Sequence, residues 1–260
     1  IEVVNKNTLV SVVQIVPTPA QGNTPRDIVT DGKYVYVSMY TGVVSRIDPS
    51  TNTIDKTVAV GPNPEEMVIV NKSLYVTNSD GNNYNAGYAN GKSVSKISLS
   101  DFVEEKKIAV GLNPTKITAD ALGNVLVLCM GDFSATPATV WKINAEDEAT
   151  SMNIPATIMD IKDNSLYVIN APYGAPSITY TVYNTSSGAV EKENFVSAPV
   201  DAPAGIAVHS DGRIFITSYT LVGGFASYKT PGYVSEYSSD GTFVKKYDVG
   251  VGAVSMTFLK

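Results

Sequence analysis

Apolar residues along this chain fall into short runs with a period of two, or with no polar break at all. None repeats at the spacing of a helix face. Tyr34–Met39 (YVYVSM), Ser73–Asn78 (SLYVTN), Val125–Met130 (VLVLCM), Ser165–Asn170 (SLYVIN) and Arg213–Ser218 (RIFITS) are aromatic-rich or β-branched and are bounded by Asp, Asn and Gly. Such runs predict buried β-strands joined by tight turns. Alternating, more charged segments such as Ile54–Val60 (IDKTVAV) predict outer strands with one face in water.

The runs recur in a fixed phrase: a proline, an apolar inner strand A, a turn, strand B, a variable loop, strand C and a charged strand D. The opening prolines Pro25, Pro64, Pro114, Pro155 and Pro203 are spaced by 39, 50, 41 and 48 residues. Four short strands per unit at that spacing predict an all-β fold, a β-propeller of four-stranded antiparallel blades in a single domain over 1–260. The complete blades are expected at 23–61, 63–111, 113–152, 154–197 and 202–249, the fourth matching the phrase least well. Residues 1–16 match strands C and D of a partial blade, and residues 252–260 match an inner strand that would close the ring. Those fragments fit either a six-bladed ring lacking one strand or a seven-bladed ring lacking about fifty-five residues of blade repeat. The N-terminal portion of the ring is expected to be missing from this chain, with Lys260 near the natural end.

Composition narrows the possible functions. The chain has 43 % hydrophobic and 17 % charged residues and a net charge of −6, with its 19 Lys and Arg scattered rather than striped, so it has no electrostatic footprint for nucleic acid. No apolar run approaches the ~20 residues of a membrane-spanning helix. Ile1 opens directly into strand-like sequence, not a signal peptide, as if something upstream had been removed. The single cysteine, Cys129, sits inside an apolar strand and is expected to be a small buried hydrophobe.

The phrases Leu74–Gly81 (LYVTNSDG), Tyr34–Tyr40 (YVYVSMY), Leu166–Asn170 (LYVIN) and the VGPNP and VGLNP that precede strand A resemble the YVTN-repeat propellers. The last stretch, Gly232–Lys260, is similar to the final blade of exported "surface layer" propellers of Bacteroidetes. The resemblance implies seven blades rather than six. It also implies export, a lipid anchor that this chain lacks, and a cell-surface or periplasmic location. Some such lipoproteins capture cobalamin for an outer-membrane transporter, so the resemblance implies a corrinoid and such a transporter as candidate ligand and partner.

In a propeller the B–C loops and the D–A connections share one face, and the long insertions here are all B–C loops: 78–91, 130–138, 171–177 and 218–232. The opposite turns are tight. Length asymmetry on a rigid scaffold marks the face that touches something. Its candidate ligand-binding residues are Tyr40, Asn78, Asp80, Asn82, Asn83, Tyr84, Tyr88, Asp132, Phe133, Tyr173, Tyr219, Phe225 and Tyr228. Aromatic rings supply area at low entropic cost and amides supply adaptable hydrogen bonds, a mixture suited to a small molecule with a polar rim or to a protein. Arg26, Asp27, Glu66 and Lys116 follow the opening prolines and are expected at the channel mouth.

Catalysis is poorly supported. The one histidine, His209, falls in an A–B turn, away from the long loops, so neither a multi-histidine zinc site nor a Ser-His-Asp triad is expected. Asp80, Asn82 and Asn83 look like the start of a calcium loop, but position twelve is Gly91 rather than a glutamate. The sequence therefore predicts a non-enzymatic binding protein with no catalytic residue and no bound metal. Two alternatives stay open: a lactonase-like hydrolase or lyase holding Ca²⁺ at the channel mouth, with Asp27 and Glu66 contributing and Lys116 opposing, and a structural surface protein.

Overall fold

Antiparallel hairpins make up nearly all the ordered backbone in the computed structural model, which describes residues 1–173 and 177–258. Helical structure among them is limited to two short 3₁₀ segments, Pro19–Gln21 and Gly81–Ala86. Residues 174–176 of the fourth long loop and 259–260 of the expected closing strand lie outside the described residues. The chain divides into two compact units, Ile1–Ala119 with Gly123–Asn153, and Asp120–Leu122 with the chain from Ile154 onward.

The first unit opens with a hairpin of β1 (Glu2–Val4) and β2 (Ser11–Gln14). Three four-stranded meanders follow. The first is β3 (Pro25–Thr30), β4 (Val35–Met39), β5 (Val43–Asp48) and β6 (Thr53–Ala59). The second is β7 (Pro64–Val70), β8 (Ser73–Asn78), β9 (Ser93–Ser98) and β10 (Val103–Ala109). The third is β11 (Pro114–Ala119), β12 (Val125–Cys129), β13 (Thr139–Ile143) and β14 (Ala149–Pro155). In each sheet the strands pair in chain order. The two central strands are the most buried, which is why their sequences read as continuous apolar runs.

The second unit holds two such sheets. One is β15 (Ile158–Lys162), β16 (Ser165–Asn170), β17 (Thr179–Asn184) and β18 (Val190–Glu193). The other is β19 (Pro203–Val208), β20 (Ile214–Ser218), β23 (Tyr233–Tyr237) and β24 (Phe243–Asp248). Between β20 and β23 the chain makes a separate small hairpin of β21 (Leu221–Val222) and β22 (Phe225–Ala226). Residues 253–258 carry no ladder although the sequence predicts an inner strand there. The segment still lies against β19, with the Val254 carbonyl beside Gly205 and the Phe258 ring against His209 and Phe215.

Sheets pack face to face through their strand residues. Tyr36 and Val44 of one sheet meet Met67, Leu74 and Ile97 of the next, and Val70, Tyr75 and Val94 meet Ile117, Val127 and Ile143 of the third. In the second unit, Ile158, Ile169 and Tyr180 meet Ile214, Ile216 and Tyr237. Each such side chain, fully buried, contributes about 1.5–3 kcal/mol. Cys129 is one of these packing residues, and burial pushes its thiol up to about 12, which makes it unreactive.

Four inner strands carry a β-bulge immediately after the opening proline, at Pro25/Asp27, Pro64/Met67, Pro114/Lys116 and Pro203/Gly205. A bulge releases the intervening residues from the ladder and re-aims their side chains, which places Arg26, Glu65 and Glu66 at the mouth of the sheet. The fourth repeat differs from expectation. Pro155 ends β14 instead of opening an inner strand, and β15 begins at Ile158 with no bulge.

Inner strands are also joined by a carboxylate. Asp27 accepts a hydrogen bond at 2.8 Å from the Met67 N–H on the neighbouring inner strand, and Asp160 accepts one at 2.6 Å from the Val208 N–H. Asp27, a residue expected at the channel mouth, is therefore also a joint between sheets. Burial raises its pKa above the ordinary carboxylate value despite that bond. A carboxyl with a higher pKa folded than unfolded binds more protons in the native state, so its contribution to stability falls as pH rises through that window. Asp27→Ala, which leaves the Met67 N–H unpaired, is expected to cost about 1–3 kcal/mol in urea unfolding at neutral pH. Asp27→Asn keeps the acceptor without the charge and is expected to stay within about 0.5 kcal/mol of wild type; equal losses for both would contradict the joint.

Candidate functional site

Thr24, Asn63 and Asn113 occupy the same position, immediately before an opening proline, and all three have left-handed backbone, with φ of 56°, 47° and 57°. A following proline pushes its predecessor toward extended conformations, so this geometry must be held by something. At Asn63 the side chain holds it. Its Nδ2 donates to the Tyr40 carbonyl at 2.9 Å and its Oδ1 accepts from the Asn82 N–H at 3.0 Å. Asn113 uses its amide differently, its Nδ2 donating at 3.3 Å to the Gly131 carbonyl in the loop of its own sheet. Thr24 has no such amide, and a β-branched residue at positive φ stores about 1–3 kcal/mol of strain.

The connections at Thr24 and Asn63 and the adjoining B–C loops surround an open depression of about 280 Å³ in the first unit, lined by Asn23, Thr24, Tyr40, Thr41, Pro62, Asn63 and Asn82. The loop from Ser79 to Gly91 forms one wall and is heavily anchored. Ser79 Oγ donates to the Asn63 carbonyl at 2.8 Å and accepts from the Gly81 N–H at 3.1 Å. Asp80, itself left-handed, accepts from Asn83 Nδ2 at 2.9 Å and from the Asn90 N–H at 2.8 Å. Gly81 crosses directly over the Tyr40 hydroxyl, where a Cβ would collide with it and force the Tyr40 side chain to shift.

Beneath the loop, the Arg26 guanidinium pairs with Glu65 at 2.6 Å and lies 5.0 Å from the centre of the Tyr40 ring. Arg26 is half exposed, whereas Glu65 is largely buried, with Ser79 Oγ 3.4 Å from its other oxygen. Burial holds the Glu65 pKa above its usual value against the pull of Arg26. Glu66 and Lys116 form a second pair at 2.5 Å. Of the groups expected at the channel mouth, Arg26 is thus paired with Glu65 and Lys116 with Glu66, while one oxygen of Asp27 accepts from the Met67 N–H. Among the described residues no three His, Cys, Asp or Glu side chains come together as a metal site.

The predicted ligand contacts separate into three groups. Tyr40 and Asn82 line the depression, with Tyr88 and the exposed Phe133 meeting edge to face at 6.2 Å on neighbouring loops and Tyr84 exposed. Asn78 and Asp80 are buried and build the scaffold instead, which corrects their expected role, while the half-buried Asn83 and Asp132 bond within their own loops. Asn78 is fully buried and donates to Ser93 and Ser95, and Asp132 accepts from the Ser134 and Thr136 N–H groups, which lower its pKa. Tyr173, Tyr219, Phe225 and Tyr228 belong to the second unit, where Tyr219 and Tyr228 meet at 4.8 Å and Tyr173 is almost wholly exposed. Asn23, Thr24, Thr41, Asn63 and Ser79 are not legible as site residues in the sequence, although Asn63 and Asn113 recur in the phrases VGPNP and VGLNP; Glu65 is legible only through its place after an opening proline. His209 sits in its A–B turn, Nδ1 at 2.8 Å from Asp211.

No family model matches the chain, and no curated protein matches it in sequence. Solved structures do match in shape. Hydrazine synthase of Kuenenia stuttgartiensis superposes with a TM-score of 0.61 at 19 % identity, covering 86 % of this chain and 64 % of that one. Hsv2 of Kluyveromyces lactis gives a TM-score of 0.56 at 10 % identity over 87 % of this chain and 64 % of that one. This is a β-propeller. A functionally unknown protein from Desulfotomaculum acetoxidans has the same propeller likeness, with a TM-score of 0.66 at 13 % identity over 95 % of this chain and 76 % of that one. The propeller here spans less than two thirds of the hydrazine synthase and Hsv2 chains. At such identities the likeness concerns the fold, which hosts many unrelated functions.

Two substitutions test the site. Arg26→Ala leaves Glu65 buried beside no cation and is expected to cost about 1–3 kcal/mol at pH 7. Because the Glu65 pKa then rises further, that deficit shrinks as pH falls and the carboxyl protonates, which parallel urea titrations at pH 7 and pH 4.5 would read; a deficit independent of pH would contradict the pairing. Thr24→Asn, giving this connection the amide its two counterparts have, is expected to raise stability by about 0.5–1 kcal/mol, and a loss would contradict the strain.

Proposed function

We propose that this propeller is a non-enzymatic binding protein that takes a neutral, polar small molecule, or the polar edge of a larger one, on the loop face of its first unit. The observation that carries the reading is the lining of the depression: amides, hydroxyls, a proline and one tyrosine, with no ionised side chain among them. The nearest charges, Arg26 and Glu65, are spent on each other. Such a surface gives a charged ligand no counter-ion. It offers hydroxyl- or amide-bearing ligands donors and acceptors on a wall fixed before binding, which lowers the ordering cost.

The resemblance to YVTN-repeat surface propellers supports an exported, lipid-anchored location, a corrinoid as ligand and an outer-membrane transporter as partner. A depression of about 280 Å³ lies at the lower end of ligand pockets. It fits one amide-bearing arm of a corrinoid rather than the macrocycle, whose face would rest on Tyr84, Tyr88 and Phe133. The metal-dependent alternative is less well supported, since the carboxylates it needs already have protein partners.

Calorimetric titration with cyanocobalamin, and separately with neutral mono- and disaccharides, tests the reading. Binding by wild type is expected to weaken at least about tenfold in Tyr40→Ala and in Asn82→Ala, the loss of roughly 1.4 kcal/mol of contact. Binding untouched by either substitution, or catalytic turnover of the ligand, would contradict it.

A further inference from the structure

The segment Ser218–Gly232 of the second unit does something unusual for a loop in so acidic a protein: it contains no carboxylate, and its one charge is Lys229. At its centre β21 and β22 pair Leu221 with Ala226 and Val222 with Phe225 around Gly223-Gly224. Both glycines have positive φ, 62° and 85°, the requirement of a two-residue turn that matches strand twist. A Cβ at either glycine would meet nothing within 4 Å, so the tip stands clear of the rest of the unit. Its side chains are apolar and bare: Leu221 is 41 %, Val222 56 % and Phe225 70 % exposed.

Chemistry changes in order away from the tip. The backbone of the tip is paired within the hairpin, and the Ser227 N–H donates to the Thr220 carbonyl at 2.9 Å, which closes its base. Next come Tyr219 and Tyr228, their rings 4.8 Å apart, and then the exposed Lys229. An apolar tip, then phenol rings, then a cation is the order in which a lipid interface presents acyl chain, headgroup boundary and phosphate. A protein pocket would gain little from the tip beyond hydrophobic contact, because the tip presents no polar side chain to set register.

We propose that residues 221–226 form a finger that inserts into the outer part of a phospholipid bilayer, with Tyr219, Tyr228 and Lys229 at headgroup level. This contact is independent of the ligand depression, which belongs to the other unit. One short finger buries less apolar surface than an acyl chain, so the association is weak and reversible, reached at lipid concentrations on the order of millimolar.

Co-sedimentation with extruded phosphatidylcholine vesicles tests it. Wild type is expected to sediment increasingly as lipid is raised, and Leu221→Ser/Phe225→Ser to lose about tenfold in partition. Leu122→Ser, at a still more exposed leucine in another turn, is expected to behave as wild type. The double variant alters only exposed side chains, and an unchanged circular dichroism melt confirms that it folds. In parallel, Phe225→Trp is expected to show a blue-shifted emission with vesicles once the signal of Trp141 is subtracted. A wild-type protein that stays in solution throughout overturns the lipid assignment and leaves the finger to a protein pocket. Sedimentation that survives the double variant, or that requires added phosphatidylserine and disappears with salt, overturns it as well.

Discussion

Between neighbouring sheets of this propeller there is no hydrogen-bond ladder, so each pair of blades is held by packed side chains and a few polar joints at the inner strands. Asp27 to the Met67 N–H and Asp160 to the Val208 N–H are the clearest joints, each tying a side chain of one inner strand to the backbone of the next. Ser38 Oγ adds another by donating to the Glu65 carbonyl at 2.6 Å. These bonds are short-range and directional, and they set where the bulged residues just above them point. The placement of Arg26, Glu65 and Glu66 at the mouth follows from that.

From this rim the site of the first unit is built upward by a second set of polar contacts. Asn63 ties the D–A connection to Tyr40 on one side and to Asn82 on the other. Asp80 folds the long loop onto itself, and Gly81 lets it pass over the Tyr40 hydroxyl. The wall of the depression is thereby made of backbone that already has its partners. What remains available to a ligand is the outer surface of amides, hydroxyls and aromatic edges. Polar residues that the sequence suggests as contacts therefore serve to hold others in place, and a smaller set is left to touch anything.

Strands, turns and repeat were readable because their causes are local: period-two burial, Asp-Gly and Asn-Lys turns, and prolines at strand entries. The fourth repeat departs from the sequence pattern at Pro155 for the same reason. A proline looks the same at the end of an outer strand as at the start of an inner one, and only the pairing of β15 with β16 distinguishes them. Asn78 shows the other limit. It shares the polar phrase NSDG with the exposed loop but stands at the last ladder position of β8, where the neighbouring Gly61 leaves room for its amide inside. The pairing of Glu65 with Arg26 and the role of Ser79 are not legible in the sequence, because Arg26 stands thirty-nine residues before Glu65 on another sheet and Ser79 acts by reaching Glu65.

The account stands on the claim that the wall of the depression is fixed before any ligand arrives. Amide hydrogen exchange of the ligand-free protein reads this directly at Asn82 and Asn90, whose N–H groups are held by Asn63 and Asp80. Protection of both approaching that of the β8 strand is the predicted result, since opening them requires breaking the anchors of the whole loop. Exchange as fast as at the bare tip of the Gly223-Gly224 hairpin would contradict the claim and make the depression a product of binding rather than its template.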